Sequence, residues 1–456
     1  MHFIGIGGIG MSALAQFFRW RGCRVTGSDR GAADPANRRI FASLKAWGIP
    51  IYPQDGSFAA EGVPDAVVYS TAIEEDNPDL AAAGDALRLH RSQVLKLALE
   101  SVAPAPSIAV TGSCGKSSVT ALIAETLFHL GKDPAMLDGA LANAFADGKC
   151  AGNFRPGKGP LVLEADESDK SLLGYAPDYA VILNIGCDHY SADELERVFG
   201  AFASSAVRGV VAPEALAGRL LKNLPSGVRT ALFSEEEVRL ERDAGNRARA
   251  RFADGKSCLL SPGSRHAALN ALAARKLISL LEDCDDDRTL EAIGRFSGVW
   301  RRSDLAGHLP GGAPVYDDYA HNPEKLKAAV ETVKAAVGKE DAPGRVIVCF
   351  QPHGYGPFGF MESELLERMN EVLAAEDIFF LFEPFYAGGT SSFKPTADEV
   401  LARWRARNPR FDLRRGPSRQ EVGEFLARNR PGADTAVLIA GARDNSLSDW
   451  AAELCR

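Results

Sequence analysis

A chain of 456 residues with 60 acidic and 52 basic side chains carries a net charge of −8, and it is too long for one hydrophobic core. The acidic balance excludes an ordinary nucleic-acid binder, so any phosphate ligand must be gripped locally rather than attracted by a basic surface. A hydrophobic share of 46% is globular, and no apolar run approaches the roughly 18 residues of a membrane span, so a cytoplasmic protein without a membrane partner is expected.

The first predicted elements are a strand at 2–4, the turn Gly5-Ile6-Gly7-Gly8-Ile9-Gly10, and a helix running to about residue 21. A strand over 24–27 then ends at Ser28 and Asp29, where a dinucleotide fold places a ribose-binding carboxylate. This Gly-x-Gly-x-x-Gly turn fits a nicotinamide dehydrogenase as readily as any other nucleotide binder. Ala103-Pro104-Ala105-Pro106 forms a stiff linker after this region.

The stretch from Ser107 to Ser118 that follows is the most informative. An apolar strand ends at Thr111-Gly112-Ser113-Cys114-Gly115-Lys116-Ser117-Ser118 and enters a helix. The glycines let backbone N–H groups converge on phosphate oxygens, Lys116 supplies a point charge, and Ser117 offers a hydroxyl to Mg²⁺. Two further strands lead into Glu164-Ala165-Asp166-Glu167-Ser168 and into Gly186-Cys187-Asp188-His189. In an open parallel sheet such strand ends share one crevice with the phosphate loop, so Glu164 and His189 are expected beside the same phosphates. ATP and Mg²⁺ are therefore the expected ligands.

Strand and helix patterns alternate almost to the end, with an apolar helix over 266–281 and a second break near Arg295-Phe296-Ser297-Gly298. The expected fold is α/β with three domains: a Rossmann-like domain at 1–103, a central ATP-binding parallel sheet at 104–295, and a Rossmann-like domain at 296–456. The eight cysteines form no C-x-x-C pair and read as reduced core thiols, except Cys114 in the phosphate loop. The clusters Glu235-Glu236-Glu237 and Asp285-Asp286-Asp287 read as solvated surface.

Taken in order, Thr111-Gly112-x-x-Gly115-Lys116-Ser117, Glu164-Ala165-Asp166-Glu167-Ser168, Asn184-Ile185-x-x-Asp188-His189, His266 to Asn270, Arg301-Arg302 and Asp317-Asp318-Tyr319 resemble the ATP-dependent Mur ligases. Within that family, the Gly-rich turn, Ser70-Thr71-Ala72-Ile73 and Phe350-Gln351-Pro352-His353 are similar to the branch that uses L-alanine. The resemblance implies a UDP-muramoyl substrate held at Gly7, Gly8, Ile9 and Gly10, with Ser28, Asp29, Ser70 and Thr71 nearby. It implies amide formation through an acyl phosphate, with Lys116 and Arg302 on the transferring phosphate and Ser117, Glu164 and His189 as metal ligands. Asn270 would face adenine and Asp318 the ribose. Glu167, Ser168, Tyr319, His321, His353 and Arg443 would serve the substrates. Its partners would be small molecules, a nucleotide sugar and an amino acid, and the enzyme a monomer or homodimer.

Several positions depart from the family pattern. Ser113-Cys114 and Ser117-Ser118 replace the usual Thr-His and Thr-Thr, Ala267 replaces a frequent asparagine, and Ser204 stands where several members carry a lysine. After His353 the usual arginines are replaced by Gly354 and Pro357, which leaves Arg443 as the candidate partner of the acceptor carboxylate. A different acceptor, a muramoyl-peptide substrate and a non-catalytic relative stay open on sequence alone.

Overall fold

The computed structural model describes residues 1–34, 37–167, 171–186, 191–242, 247–261, 263–281, 284–338, 344–386 and 393–456. Three α/β sheets follow one another along the chain, as the alternating pattern leads one to expect. The first has the order Ile51–Tyr52, Thr26–Ser28, His2–Ile4, Ala66–Tyr69, Leu87–His90, all parallel. The predicted strand over 24–27 starts two residues later and ends one later, at Thr26–Ser28, so Ser28 belongs to the sheet itself.

The second sheet has seven strands in the order Arg229–Phe233, Gly209–Pro213, Tyr179–Ile182, Ser107–Thr111, Leu161–Glu164, Ala135–Leu137, Phe154–Arg155. Only its last pairing is antiparallel. Ser107–Thr111 lies near the middle and is buried on both faces, which explains its uninterrupted apolar reading. The third sheet runs Asp304–His308, Pro314–Asp318, Thr435–Ala440, Arg345–Phe350, Ile378–Leu381, Asp412–Arg415, with an antiparallel first pair. A small three-stranded sheet is formed by Val238–Arg242, Ala248–Phe252 and Ser257–Leu259.

The chain resolves into two compact units. The first holds both N-terminal sheets, and its parts are tied by Asn153, whose amide donates to Ile9 O at 2.7 Å and Ser12 Oγ at 2.8 Å. The second comprises Trp300–Arg456 with Leu240–Arg249 and Leu260–Ala268. Its core is built on both faces of the third sheet, around Phe350, Phe379 and Trp404 on one side and Val437, Ile439 and Trp450 on the other. Among the described residues no helix is long and apolar enough to cross a membrane. The core-thiol expectation holds for Cys150, Cys258 and Cys349, whereas Cys23, Cys284 and Cys455 are partly exposed and Cys114 is exposed. The acidic clusters also do more than meet solvent: Asp285 caps the helix Asp286–Ile293, Asp286 binds Arg275, and Glu237 binds Lys276.

Candidate active site

In the first sheet, Ile4 pairs with Ser28 and Tyr69 with His90, so the residues after these strands lie along one carboxyl edge. Gly5 turns the chain with φ +72°, and the helix Ile9–Trp20 starts at Gly8 with no side-chain cap and no acidic residue in its first turn. That is a helix end whose open N–H groups suit an anion. Asp29 sits beside it, yet its two oxygens accept from Gly7 N and Gly31 N, each at 2.7 Å. Its carboxylate therefore braces the turn. Ser28 is fully buried and gives its hydroxyl to Asp79, with His2 Nε2 at 3.2 Å, so its side chain faces the core rather than the sheet edge. Ser70 closes a turn in which Ile73 N donates to Ser70 O at 3.0 Å, and Thr71 is exposed.

The phosphate loop of the second sheet is clasped from a neighbouring strand. Cys114 N donates to Asn184 Oδ1 and Asn184 Nδ2 donates to Cys114 O, each at 2.9 Å, while Gly186 N donates to Ser113 Oγ at 2.8 Å. Two left-handed residues, Gly112 at φ +142° and Gly115 at +88°, make the turn possible, and a Cβ at Gly112 would lie 3.0 Å from that of Leu183. Gly115 then caps the helix Lys116–His129. Asn270 packs over this cap, its Oδ1 3.3 Å from where a Gly115 Cβ would stand. Thr111, Ser113 and Ser117 are buried along the loop, and Ser118 is half-buried.

Lys116 donates to Gly112 O at 2.9 Å and pairs with Glu167 Oε2 at 2.7 Å. Burial alone would lower its pKa, but Glu167, Glu164 and Asp166 together hold it above the ordinary lysine value. The residue is thus a locked cation among three carboxylates. Val110 pairs with Glu164, so Glu164 reaches the same edge, where its Oε2 accepts from Gly139 N at 3.1 Å. Ser168 and His189 lie outside the described residues.

In the second unit, Asp318, Ala440 and Phe350 are in register at the carboxyl edge of the third sheet. Arg301 is fully buried in a left-handed conformation, binding Asp317, Gly441 O, Asp444 O and Asn445. It holds two strand ends together. Arg302 lies over Tyr319, 5.7 Å from its ring centre. Burial raises the Asp318 pKa despite the opposing charge of Arg302, and its oxygens accept from Ser303 N at 2.6 Å and Ala320 N at 2.7 Å. The side chain of Asp318 is therefore committed to local backbone.

His321 and His353 meet edge to face at 4.9 Å. Burial keeps His321 at about 4, and burial with Arg443 and Lys325 lowers His353, so both imidazoles are neutral at pH 7. Arg302, Lys325 and Arg443 give this edge a positive potential suited to a carboxylate. Arg443 is itself left-handed, at φ +64°. Gly354, at +74°, starts the helix Tyr355–Val372 with Pro357 in its first turn.

Sequence reasoning missed the bracing role of Arg301, the backing of Glu164 by Gly139, and Arg91, which lies 3.9 Å from Asp166. Only for Arg91 was there a local signal: it follows His90, which forms a capping box with Gln93 and so marks a helix start.

Two family descriptions match the chain: "Mur ligase family, catalytic domain" over residues 1–101 and "Mur ligase, glutamate ligase domain" over 301–443. A UDP-N-acetylmuramate–L-alanine ligase of Streptomyces coelicolor is 34% identical over 396 residues, 82% of this chain and 80% of its own length. One from Rhizobium meliloti is 31% identical over 489 aligned positions, covering 100% of this chain and 96% of its own. The crystal structure of a UDP-N-acetylmuramate-alanine ligase from Thermotoga maritima superposes with a TM-score of 0.75 at 26% identity, covering 99% of this chain and 97% of that one. Relatives above 30% identity run the length of the sequence, and the chain belongs to the Mur ligase family.

Proposed function

We propose that this enzyme joins L-alanine to the carboxylate of UDP-N-acetylmuramate with cleavage of ATP to ADP and phosphate, a step of peptidoglycan precursor synthesis. The observation that carries the reading is the locked Lys116 at the mouth of a glycine-bounded loop, with Glu164, Asp166 and Glu167 beside it. A nicotinamide enzyme has no task for that arrangement, and a non-catalytic relative has no reason to keep it.

In this reading the muramoyl carboxylate attacks the γ-phosphate of ATP, and the amine of the amino acid then displaces phosphate from the acyl phosphate. Lys116 and the loop N–H groups hold the phosphates and stabilise the charge of the transferring group. Asn270 is assigned to adenine, and Arg302 and Asp318 to the nucleotide. Asp318 would act through the loop it braces. Ser117 at the start of the helix Lys116–His129 and Glu164 at the end of its strand offer oxygen donors of the kind Mg²⁺ takes, phosphate oxygens would complete the shell, and His189 is assigned as a further ligand. When bound, Mg²⁺ supplies charge neutralisation at the phosphates.

Gly7, Gly8, Ile9 and Gly10 would hold the diphosphate of the nucleotide sugar, with Asp29 fixing the turn and Ser70 and Thr71 bordering it. Tyr319, His321, His353 and Arg443 are assigned to the substrates of the second unit. The positive edge there answers the acceptor carboxylate without the arginines that Gly354 and Pro357 replace. We place the enzyme in the cytoplasm, with small molecules as its substrates and domains divided near residues 103 and 295.

The test is phosphate release from ATP with UDP-N-acetylmuramate and each amino acid in turn. Release that requires both the nucleotide sugar and L-alanine is expected. Release indifferent to the nucleotide sugar would contradict the reading, and stronger release with another amino acid would move the acceptor.

A further inference from the structure

Four polar side chains are shut away where the helix Ile9–Trp20 of the first sheet meets the segment leading into Phe154–Arg155 of the second. Ser12, Gln16 and Asn153 are fully buried and Ser43 is 2% exposed. Gln16 Nε2 donates to Ser12 O at 3.0 Å, its Oε1 accepts from the Ser43 hydroxyl at 2.6 Å, and Ala151 N donates to Ser43 Oγ at 3.2 Å. Phe17, Trp20 and Trp47 already pack on Phe154 across the same surface. Apolar contact thus supplies the adhesion, and the buried polar groups, costly unless paired, fix the register of one part on the other.

One member of this network reaches toward both sites. Asn153 Nδ2 donates to Ile9 O at 2.7 Å, and that carbonyl belongs to the same peptide group as Gly10 N, in the uncapped first turn of the helix. The main-chain oxygen of Asn153 accepts from Asp138 N at 2.9 Å, and the next residue, Gly139, donates its N–H to Glu164 Oε2 at 3.1 Å. Little slack remains at Gly139, where a Cβ would stand 2.7 Å from Glu164 Oε2. An anion accepting from Gly10 N–H polarises its peptide group and strengthens the carbonyl as an acceptor, so the effect passes to Asn153. A shift of the backbone at 138–139 turns Glu164, and the affinity of a metal ligand follows the hydrogen bond that orients it.

We propose that Asn153 is a positioning residue that couples the two nucleotide sites: an anion on the Gly-rich turn sets Glu164 for Mg²⁺ and so tightens the binding of magnesium nucleotide, and the reverse holds by the same factor. The proposal rests on the assignment of the turn to the nucleotide sugar and of Glu164 to the metal.

Titration calorimetry of ADP with Mg²⁺, with and without saturating UDP-N-acetylmuramate, reads the coupling in the absence of turnover, since ADP has no γ-phosphate. In the parent the nucleotide sugar should tighten ADP–Mg²⁺ about fivefold or more, and metal-free ADP should show no such gain. In Asn153→Ala the factor should fall to about one while each ligand alone is still bound; Asn153→Ser, which gives up less volume, is put through the same comparison. Ser43→Ala breaks the same interface away from the path to Glu164, so it should lose stability in urea and keep the coupling. No coupling in the parent, coupling that survives in the Asn153 variants, equal coupling without metal, or its loss in Ser43→Ala would overturn the proposal and leave Asn153 an interface tie. A parent that binds ADP but not UDP-N-acetylmuramate would overturn the assignment of the turn itself, and the proposal with it.

Discussion

Replacing Lys116 by alanine removes one cation with two separable consequences. Its side chain is 15% exposed and that of Glu167 4%, so the variant strands a buried carboxylate beside Glu164 and Asp166. Breaking a fully buried pair costs about 3–5 kcal/mol, and the partial exposure of Lys116 and of Asp166, 35% exposed, reduces this to about 1–3 kcal/mol. Loss of a preorganised charge on the transferring phosphoryl group costs about 3–4 kcal/mol, or roughly two to three orders of magnitude in kcat. Urea unfolding and steady-state phosphate release measure the two losses. The double variant Lys116→Ala/Glu167→Gln, with no stranded charge, should regain most of the stability and none of the turnover. Because the folded pKa of Lys116 lies above 10.5, the stabilising part of its pairing is fully present below that pH and disappears only as the pH rises past it. The parent and Lys116→Ala should therefore differ in stability by a constant amount between pH 7 and 9. Turnover within tenfold of the parent by folded Lys116→Ala would refute the phosphate-loop assignment.

Glu164→Gln should raise the Mg²⁺ concentration for half-maximal activity, which a metal titration reads, because an amide keeps the acceptor for Gly139 N but gives up the charge. Arg443→Ala should raise the acceptor KM by about tenfold or more and leave acyl-phosphate formation intact, since that step precedes the amine; acceptor saturation curves check it. His2 is buried among Thr26, Ser28 and Phe58, and burial holds it at about 4 against 6.5 unfolded. Between those values the unfolded chain takes the proton, so stability should fall by about 3 kcal/mol as the pH drops from 6.5 to 4, and His2→Asn should flatten that slope in pH-dependent unfolding.

Both strand–glycine–helix turns were readable because each is local: strand, a glycine at positive φ, and helix follow within a dozen residues. The three-sheet order followed from alternation of strand and helix. What stayed hidden depends on partners distant in sequence. A serine after a short strand looks like a ligand contact, and only the pairing of Ile4 with Ser28 turns its hydroxyl toward Asp79. The clasp of Asn184 on Cys114 spans 70 residues, and the Lys116–Glu167 pair joins two strand ends whose register no local pattern encodes. Arg301 and Arg302 are adjacent and look alike in sequence. Left-handed geometry buries the first as a brace and leaves the second over Tyr319.

The central claim, an acyl phosphate made at the Lys116 loop from a muramoyl carboxylate, has a direct isotopic test. UDP-N-acetylmuramate labelled with ¹⁸O in its carboxylate is turned over with ATP and L-alanine, and the products are read by mass spectrometry. Attack on the γ-phosphate followed by displacement at carbon carries one carboxylate oxygen into inorganic phosphate, so labelled phosphate with unlabelled ADP is predicted. Label in AMP, or phosphate free of label alongside new amide, would contradict the account.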